Sequence, residues 1–401
     1  MYNLEMPRIL YGNFDFEHQL TGAPPPSPGS RLARINAELS PALAALAEEG
    51  DRLLCPGAFD AVHLDHLADL GIPRPKLLSE SDTLPAGAEL VPWGWSEVAL
   101  KLAATSNLVA QHPPLDAVKL ANCRRFAQTI EADWNCGLDG AAVIGDLEEL
   151  AAAVRCSVAY SPRWVLKARF GMSGRERHLG SGGQLDEQAA NWAKKRLERD
   201  GVIVLEPWVQ RIAEAGLQFE IPRQGAPQLL GITPQLCDEA GHYHGNRMTI
   251  PEGEIADWQP AVETARRLAE HLQKTGYFGP LGIDAMRYCA ADGGERLRPL
   301  QDVNARYTMG RLALGFRRLL SSHEVGTWLH CSTKRAGGSW ETLVDQIKND
   351  LPSGCRVVPT SPLRIDGQPP HLVHLILAAP SENELAAAER VFIGARKNPA
   401  G

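Results

Sequence analysis

The chain has 401 residues, of which 44% are hydrophobic and 22% charged, and its net charge is −7. This composition is typical of a soluble globular protein, and the length predicts two or three domains. An acidic balance argues against a nucleic-acid-binding protein, which needs a clustered basic surface. No apolar run approaches the roughly 20 residues of a membrane-spanning helix. The first residues carry acids rather than a long apolar run, so we expect no signal peptide.

Eight cysteines are scattered along the chain without a C-x-x-C pair. Scattered cysteines in a long chain without a secretory signal are typical of reduced thiols. We therefore expect a cytoplasmic protein.

Strands alternate with helices in the first part of the chain, which predicts parallel βαβ units. We expect a small α/β domain at residues 1–112, ended by His112-Pro113-Pro114. Its predicted strands are residues 8–14 and 52–55, and its predicted helices are residues 32–47 and 60–70.

The middle of the chain mixes helices with short apolar strands, and the pattern changes after Phe316. The predicted helices are residues 115–131, 146–154, 185–200 and 261–275, and the predicted strands are residues 141–144, 163–169 and 201–206. The last part predicts strands at residues 356–359 and 371–379 and a helix at residues 382–391.

The most informative pattern is D-V-N-A-R, in which Asp302, Asn304 and Arg306 stand two residues apart. In a strand these side chains lie on one face. The Asp292-Gly293 pair upstream predicts a hairpin turn, and folding the chain about Gly293 places Asp284 opposite Asp302. Opposed carboxylates destabilise a strand pair unless a cation lies between them. Because Mg²⁺ takes few carboxylates and completes its shell with phosphate and water, the hairpin predicts a magnesium-nucleotide site. The alternative is a set of solvated polar residues on an edge strand.

A glycine-rich segment, F-G-M-S-G-R-E-R-H-L-G-S-G-G, occupies residues 170–183. Glycines let the backbone approach phosphates closely, although a mobile surface loop is the alternative. Lys167 precedes this segment in an apolar strand, where its charge needs an anion. A nucleotide phosphate or a structural carboxylate would meet that need.

A buried strand then ends in Glu206 and Pro207. Proline cannot donate to a strand ladder, so backbone groups near this strand end can bind an adenine edge, with Trp208 covering the ring.

The order and spacing of these features resemble the ATP-grasp superfamily of carboxylate–amine ligases. The resemblance covers about residues 116–320, and the first α/β unit looks like the domain that precedes the ATP-grasp domain in that superfamily. It implies a mixed α/β and α+β fold, with a glycine-loop lid subdomain, a metal-binding antiparallel sheet and a small preceding α/β domain. The implied domains are residues 1–112, residues 113–325 with a lid at about 135–205, and a C-terminal extension at 326–401.

By position, the resemblance assigns a role to each motif residue. Metal ligands would be Asp284, Asp302 and Asn304, and Arg306 and Lys167 would be catalytic. Glu214 and Gln218 remain alternatives for the residue that binds the ribose. The nucleotide would be bound by Arg124, Lys167, Gly171, Ser173, Gly174, Glu206, Pro207, Trp208, Val209 and Glu214.

The implied activity is an ATP-dependent ligase that forms an amide through an acyl-phosphate and releases ADP and phosphate. The implied cofactors are ATP and Mg²⁺, with Mn²⁺ as an alternative metal. The substrates would be a small carboxylate and an amine, amino acids or short peptides among them, without nucleic-acid or membrane partners. A homodimer is one option for the assembly. A phosphotransferase using the same Mg-ATP site, or an ATP-binding protein without turnover, are the alternatives.

Overall fold

The computed structural model describes residues 6–171, 176–333 and 340–397, with side chains to residue 393 in the last helix. Three β-sheets organise the chain: a parallel sheet of four strands, an antiparallel sheet of four strands and an antiparallel sheet of eight strands. No helix in these ranges is both long and apolar enough to cross a membrane. The eight cysteines, all within these ranges, form no disulfide with one another.

The first unit is a parallel sheet with strand order β3-β2-β1-β4, which confirms the predicted βαβ pattern. The helix predicted over residues 32–47 ends early and continues as a 3₁₀ helix, Ser40–Leu46, because Pro41 lacks the N–H that an α-helix needs there. The elements of this unit are β1 (Arg8–Tyr11), α1 (Phe16–Leu20), α2 (Arg31–Leu39), β2 (Arg52–Cys55), α3 (Val62–Asp69), β3 (Lys76–Ser79), β4 (Glu89–Pro92) and α4 (Glu97–Thr105).

The second unit is a small antiparallel sheet with order β5-β8-β6-β7. The single helix predicted over residues 115–131 is two helices, broken at Asn122, whose side chain bonds both Val118 and the backbone of Ala305. The elements are α5 (Leu115–Ala121), α6 (Arg124–Asp133), β5 (Ala142–Ile144), α7 (Leu147–Ser157), β6 (Arg163–Ala168), β7 (Arg177–Ser181), α8 (Glu187–Asp200) and β8 (Ile203–Pro207).

The third sheet runs in the order β13-β12-β9-β10-β11-β14-β16-β15. Its first three strands in the chain, residues 210–247, were not predicted. The strands after residue 325 join this same sheet through the β11–β14 pair, while the domain bounds at 325 and 326 stay predictions. The elements are β9 (Gln210–Ile221), β10 (Gln228–Cys237), β11 (Tyr243–Arg247), α9 (Glu252–Lys274), β12 (Gly279–Cys289), β13 (Glu295–Asn304), α10 (Met309–Phe316), β14 (Val325–Ser332), α11 (Trp340–Asp350), β15 (Arg356–Pro359), β16 (Leu372–Ala379) and α12 (Glu382–Lys397).

The β12–β13 hairpin has the predicted pairing for a reason that the sequence prediction did not include. Near the turn, Arg287 pairs with Leu297, so the hairpin is centred on Asp292 rather than Gly293. A bulge then places two extra residues in β13, and the pairing reaches Asp284 opposite Asp302. Pro299 lies in the bulged segment, where its missing N–H leaves no ladder bond to lose.

Arg298, just before this bulge, joins the large sheet to the small one. Its side chain is 1% exposed and donates to both oxygens of Glu131 on α6, at 2.7 Å each. It also donates to both oxygens of Glu206 on β8, at 3.0 and 2.9 Å. Lys167 on β6 lies 2.7 Å from Glu206. Two carboxylates and two cations thus neutralise each other between the sheets. We call these four residues, Glu131, Lys167, Glu206 and Arg298, the ionic joint.

Replacing Arg298 with methionine removes the charge that both glutamates share. Breaking a buried ion pair by deleting one partner typically costs about 3–5 kcal/mol, so Arg298→Met should lower the free energy of unfolding by about that amount in urea titrations at pH 7. The control is Arg296→Met on the same strand, whose exposed pairs with Asp139 and Asp292 should contribute less than about 1 kcal/mol. Equal losses in the two variants would contradict the joint.

Three histidines, of which His330 and His374 are buried and His63 is half-buried, lie where the first unit meets the large sheet. The rings of His330 on β14 and His374 on β16 are 4.5 Å apart between centroids, and His374 bonds Ser361 Oγ through Nδ1 at 2.9 Å. Burial lowers the pKa of His374 to about 3 and, in α3, that of His63 to about 4. Burial and then the charge of His374 hold the pKa of His330 well below its ordinary value.

These histidines predict acid sensitivity with a defined sign. Each binds a proton more readily in the unfolded chain, whose histidine pKa is near 6.5, so folding stability should fall as the pH drops from about 6.5 towards 4. Each group adds a slope of up to about 1.4 kcal/mol per pH unit. His374→Gln should reduce the slope of unfolding free energy against pH, whereas His323→Gln, at an exposed position, should not. An unchanged slope in the His374 variant would refute this origin.

Candidate active site

Two carboxylates face each other across the β12–β13 hairpin. Asp284 is paired directly with Asp302, and Gly282 with Asn304, which confirms the predicted juxtaposition. Desolvation and then the negative charge of Asp302 raise the pKa of Asp284 to about 7, although Gln235 donates to its Oδ1 at 2.6 Å. A divalent cation between the two oxygens would relieve this repulsion, so the donor set fits a metal.

The described ranges contain no group of three or more His, Cys, Asp or Glu side chains able to hold a metal ion. Asp284 and Asp302 are two carboxylates, and Asn304 adds an amide oxygen. Such a set leaves most of the coordination shell to phosphate and water, which is the arrangement Mg²⁺ prefers.

Arg306 lies beside this pair and is held from three directions. Its guanidinium donates to Asn304 Oδ1 at 2.9 Å and to Glu17 Oε1 at 2.7 Å. It also lies 5.4 Å from the ring centroid of Trp93. Glu17 and Trp93 belong to the first unit, so that unit contributes directly to the site.

Arg124 and Lys167 approach from the small-sheet side. Arg124 donates to the carbonyls of Ala168 and Gly171 at 3.0 and 3.3 Å and to Asp302 Oδ2 at 3.3 Å. A Cβ on Gly171 would lie 2.5 Å from Arg124 Nη1, so a larger residue at this position would displace the guanidinium. Lys167 has a structural carboxylate as its partner, namely Glu206 at 2.7 Å, which is one of the two alternatives left open by the sequence.

A narrow cleft of about 90 Å³ lies between the two antiparallel sheets and is lined by Glu206, Pro207, Trp208, Val209 and Glu214. Although burial would raise it, the charges of Arg298 and Lys167 hold the pKa of Glu206 well below its ordinary value. Its carboxylate is therefore committed to the ionic joint. A nucleobase in this cleft would have to bind to the backbone of the residues after Glu206.

Trp208 is covered by arginines. The guanidinium of Arg211 lies 4.1 Å from its ring centroid, and those of Arg163 and Arg177 lie at 5.7 and 5.3 Å. Small-molecule sites usually measure about 300–1,000 Å³, so we expect the cleft to open, with Arg211 leaving the ring, before a nucleotide enters.

The structure separates the two candidates for ribose binding. Glu214 lines the cleft and accepts from Gln301 Nε2 at 2.6 Å. Gln218 is 3% exposed and bonds Thr233 and Thr308 instead. The geometry favours Glu214.

Two predicted nucleotide contacts, Ser173 and Gly174, lie outside the described residues. The predicted glycine loop is also shorter than expected, because Arg177–Ser181 forms β7 and pairs with β6.

Sequence reasoning missed five residues of the site and its support. The strand period could have indicated Arg298, which stands four residues before Asp302, but the other contacts cross large sequence separations. The missed residues are Glu17, Glu131, Gln235, Arg298 and Gln301.

A second, larger cavity of about 870 Å³ opens at the carboxyl ends of the parallel strands, where Tyr11, Pro56 and Glu80 line it. This is the edge where open α/β sheets usually bind ligands. Asp15 and Gln19, on either side of Glu17 in the chain, line it as well.

No protein-family model matches the chain, and no curated protein matches it in sequence. Solved structures do match. The N5-carboxyaminoimidazole synthase of Aspergillus clavatus, in complex with ADP and 5-aminoimidazole ribonucleotide, is 11% identical over 98% of both chains, with a TM-score of 0.56.

Two carboxylase structures match over a similar extent. The biotin carboxylase of Campylobacter jejuni, in an ATP complex, is 12% identical over 97% of this chain and 91% of its own, with a TM-score of 0.57. The biotin carboxylase domain of a 2-oxoglutarate carboxylase from Hydrogenobacter thermophilus, in complex with MgADP and bicarbonate, is 12% identical over 97% and 90%, with a TM-score of 0.55.

At these identities the likeness shows the fold. The matches extend over nearly the whole chain and include the first parallel unit and both antiparallel sheets. The chain has the ATP-grasp fold preceded by a small α/β unit, as its sequence predicts.

Proposed function

We propose that the protein is an ATP-dependent carboxylate–amine ligase that uses Mg²⁺. The observation that carries this proposal is the opposed pair Asp284 and Asp302 with Asn304 and Arg306 beside it. The structural neighbours support this proposal, because their structures contain ADP, ATP, MgADP or bicarbonate.

In this proposal, Asp284, Asp302 and Asn304 hold the metal, which when bound would neutralise negative charge on the phosphate oxygens. Arg124 and Lys167 bind the phosphates from the small-sheet side. Lys167 would then share its charge between Glu206 and a phosphate, a charge-assisted contact on each side.

Arg306 has the geometry of a residue that acts in phosphoryl transfer. Its planar guanidinium is held by Glu17, Asn304 and the carbonyl of Tyr307, so it would act on phosphate oxygens through its fixed charge. A fixed cation stabilises charge on the transferred group without reorganising. Reactions of this kind depend on positioning and electrostatics more than on a protein nucleophile.

The proposal specifies the chemical class of the two substrates, a carboxylate and an amine. A carboxylate attacks the γ-phosphate of ATP, the oxygen–phosphorus bond to ADP breaks, and an amine then displaces phosphate from the acyl-phosphate. The cavity of about 870 Å³ in the first unit has room for a small molecule of either kind, amino acids and short peptides among them.

The direct test is ADP release from Mg-ATP against a panel of carboxylates, namely bicarbonate and the twenty amino acids, each with ammonium or hydroxylamine. We expect release to require both a carboxylate and an amine, because the acyl-phosphate must be consumed before turnover. With hydroxylamine and an amino acid, a hydroxamate should form in equal amount to the ADP. ADP release that needs a hydroxyl compound and yields its phosphate ester would instead establish a phosphotransferase.

Replacing Asp302 with asparagine tests the metal assignment. The change keeps the side-chain shape and removes one of two carboxylates, so Mg²⁺-dependent kcat/KM should fall about 100-fold or more, since metal charge stabilisation supplies several kcal/mol. The matched control is Asp292→Asn at the exposed turn of the same hairpin, which should leave Mg²⁺ dependence unchanged. Normal Mg²⁺-dependent turnover by the Asp302 variant would show that the metal lies elsewhere.

A further inference from the structure

Glu17 is a contribution of the first unit to the site that the motifs did not indicate. It lies on α1, which follows the carboxyl end of β1, and it is 6% exposed. One carboxylate oxygen, Oε1, accepts from Arg306 Nε at 2.7 Å and lies 2.5 Å from Arg306 Nη2. This oxygen is fully used by the arginine.

The second oxygen, Oε2, is buried and has no hydrogen-bond partner among the described residues. Leaving a buried polar atom unpaired costs about 1–3 kcal/mol, and more for a charged group. The site therefore offers an acceptor that calls for an N–H or O–H donor.

The reactants of the proposed ligation differ in what they can offer this oxygen. Phosphate groups and carboxylates bring acceptors and negative charge, which Glu17 repels. The adenine and ribose donors belong to the cleft near Glu214, on the small-sheet side. The attacking amine brings N–H donors, as a neutral amine or as an ammonium ion. Where the carboxylate is an amino acid, its own amino group is the competing donor, and the KM values of the two substrates distinguish them.

We propose that Glu17 binds the amine substrate through Oε2 while Oε1 orients Arg306. Arg306 also donates to Asn304 Oδ1 at 2.9 Å. Its guanidinium therefore lies between the amine position and the proposed metal ligand Asn304. The acyl-phosphate held by Arg306 would thus lie next to the amine that attacks it. This assignment rests on the proposed ligase function and names the residue that binds the amine.

Glu17→Gln tests the assignment because it keeps the shape and can still present an oxygen to Arg306. Its amide N–H₂ then replaces Oε2, and a donor faces the amine instead of an acceptor. With hydroxylamine as the amine and the best amino acid of the panel as the carboxylate, we expect the KM for hydroxylamine to rise at least 10-fold. The KM values for ATP and for the amino acid should stay within twofold, and a rise in the KM of the amino acid instead would place its amino group, not the attacking amine, at Glu17. Glu17→Ala also frees Arg306, so it should lower kcat in addition.

The matched control is Glu324→Gln. Glu324 is also a largely buried carboxylate paired with an arginine, Arg356 at 2.7 Å, but it lies at the far part of the large sheet. This variant should keep the KM values for ATP, for the amino acid and for hydroxylamine.

The outcomes separate the assignment from the function on which it rests. If the wild type forms hydroxamate and Glu17→Gln keeps the KM for hydroxylamine within twofold, Glu17 does not bind the amine. If kcat, Mg-ADP affinity and melting temperature fall together while that KM is unchanged, Glu17 is structural only. If the wild type forms no hydroxamate with any amino acid and releases no ADP with bicarbonate and an amine, the ligase proposal fails and this assignment with it.

Discussion

The rest of the structure depends on the charge balance of the ionic joint. Glu131 and Glu206 are buried between two sheets, and a buried carboxylate is tolerated only when it is paired and hydrogen-bonded. Arg298 supplies four of the bonds and Lys167 supplies one more. The small sheet is therefore fixed against the large one by charges rather than by apolar packing alone.

In the proposed complex this joint would link stability to nucleotide binding, because Lys167 would belong to both. In the structure its ammonium serves Glu206, and in the proposed complex it also contacts a phosphate. Because Arg298 bonds both glutamates, Glu206 would not become an isolated buried charge if Lys167 turned towards a phosphate in the proposed complex. The narrow cleft and the arginine stacked on Trp208 describe a closed arrangement, in which Arg211 would have to leave the ring before a nucleotide enters.

The carboxylate pair shows the opposite condition, a charge imbalance that the protein does not correct by itself. Asp284 accepts a hydrogen bond from the side-chain amide of Gln235. Asp302 accepts a long hydrogen bond, of 3.3 Å, from the guanidinium of Arg124. The pKa of Asp284 remains raised to about 7, so the charges are only partly compensated. If a cation is bound here as proposed, it would correct this imbalance, which is the usual relation between strain and function.

Most local elements follow from sequence, and the departures have identifiable causes. The strand Arg52–Cys55 and the hairpin pairing of Asp284 with Asp302 were predicted because alternation and turn residues are local signals. The bulge at Pro299 was not, since a proline within a strand indicates an interruption but not its size. Neither were β9 to β11, where the alternation is weak and pairing partners are distant in the chain.

The site was predicted where it lies on one strand and missed where it is assembled from several. Asp302, Asn304 and Arg306 share a period of two. By contrast, Glu17 meets Arg306 across 289 positions and Arg298 meets Glu131 across 167. No periodic pattern encodes contacts of that separation, and only the folded backbone brings them together.

These long contacts also bear on how the predicted domains relate. Besides the Glu17–Arg306 pair, Glu38 of the first unit accepts from the backbone of His371 and Leu372 at 2.7 and 3.1 Å. The first unit thus bonds both to Arg306, which follows the β12–β13 hairpin, and to the last part of the chain. Residues 113–325 alone would lose the group that orients Arg306, and the backbone at His371 and Leu372 would lose its partner without the first unit. The proposed site consequently depends on contacts along the whole described chain: the hairpin supplies the opposed carboxylates, the small sheet lines the narrow cleft, and the parallel unit fixes Arg306.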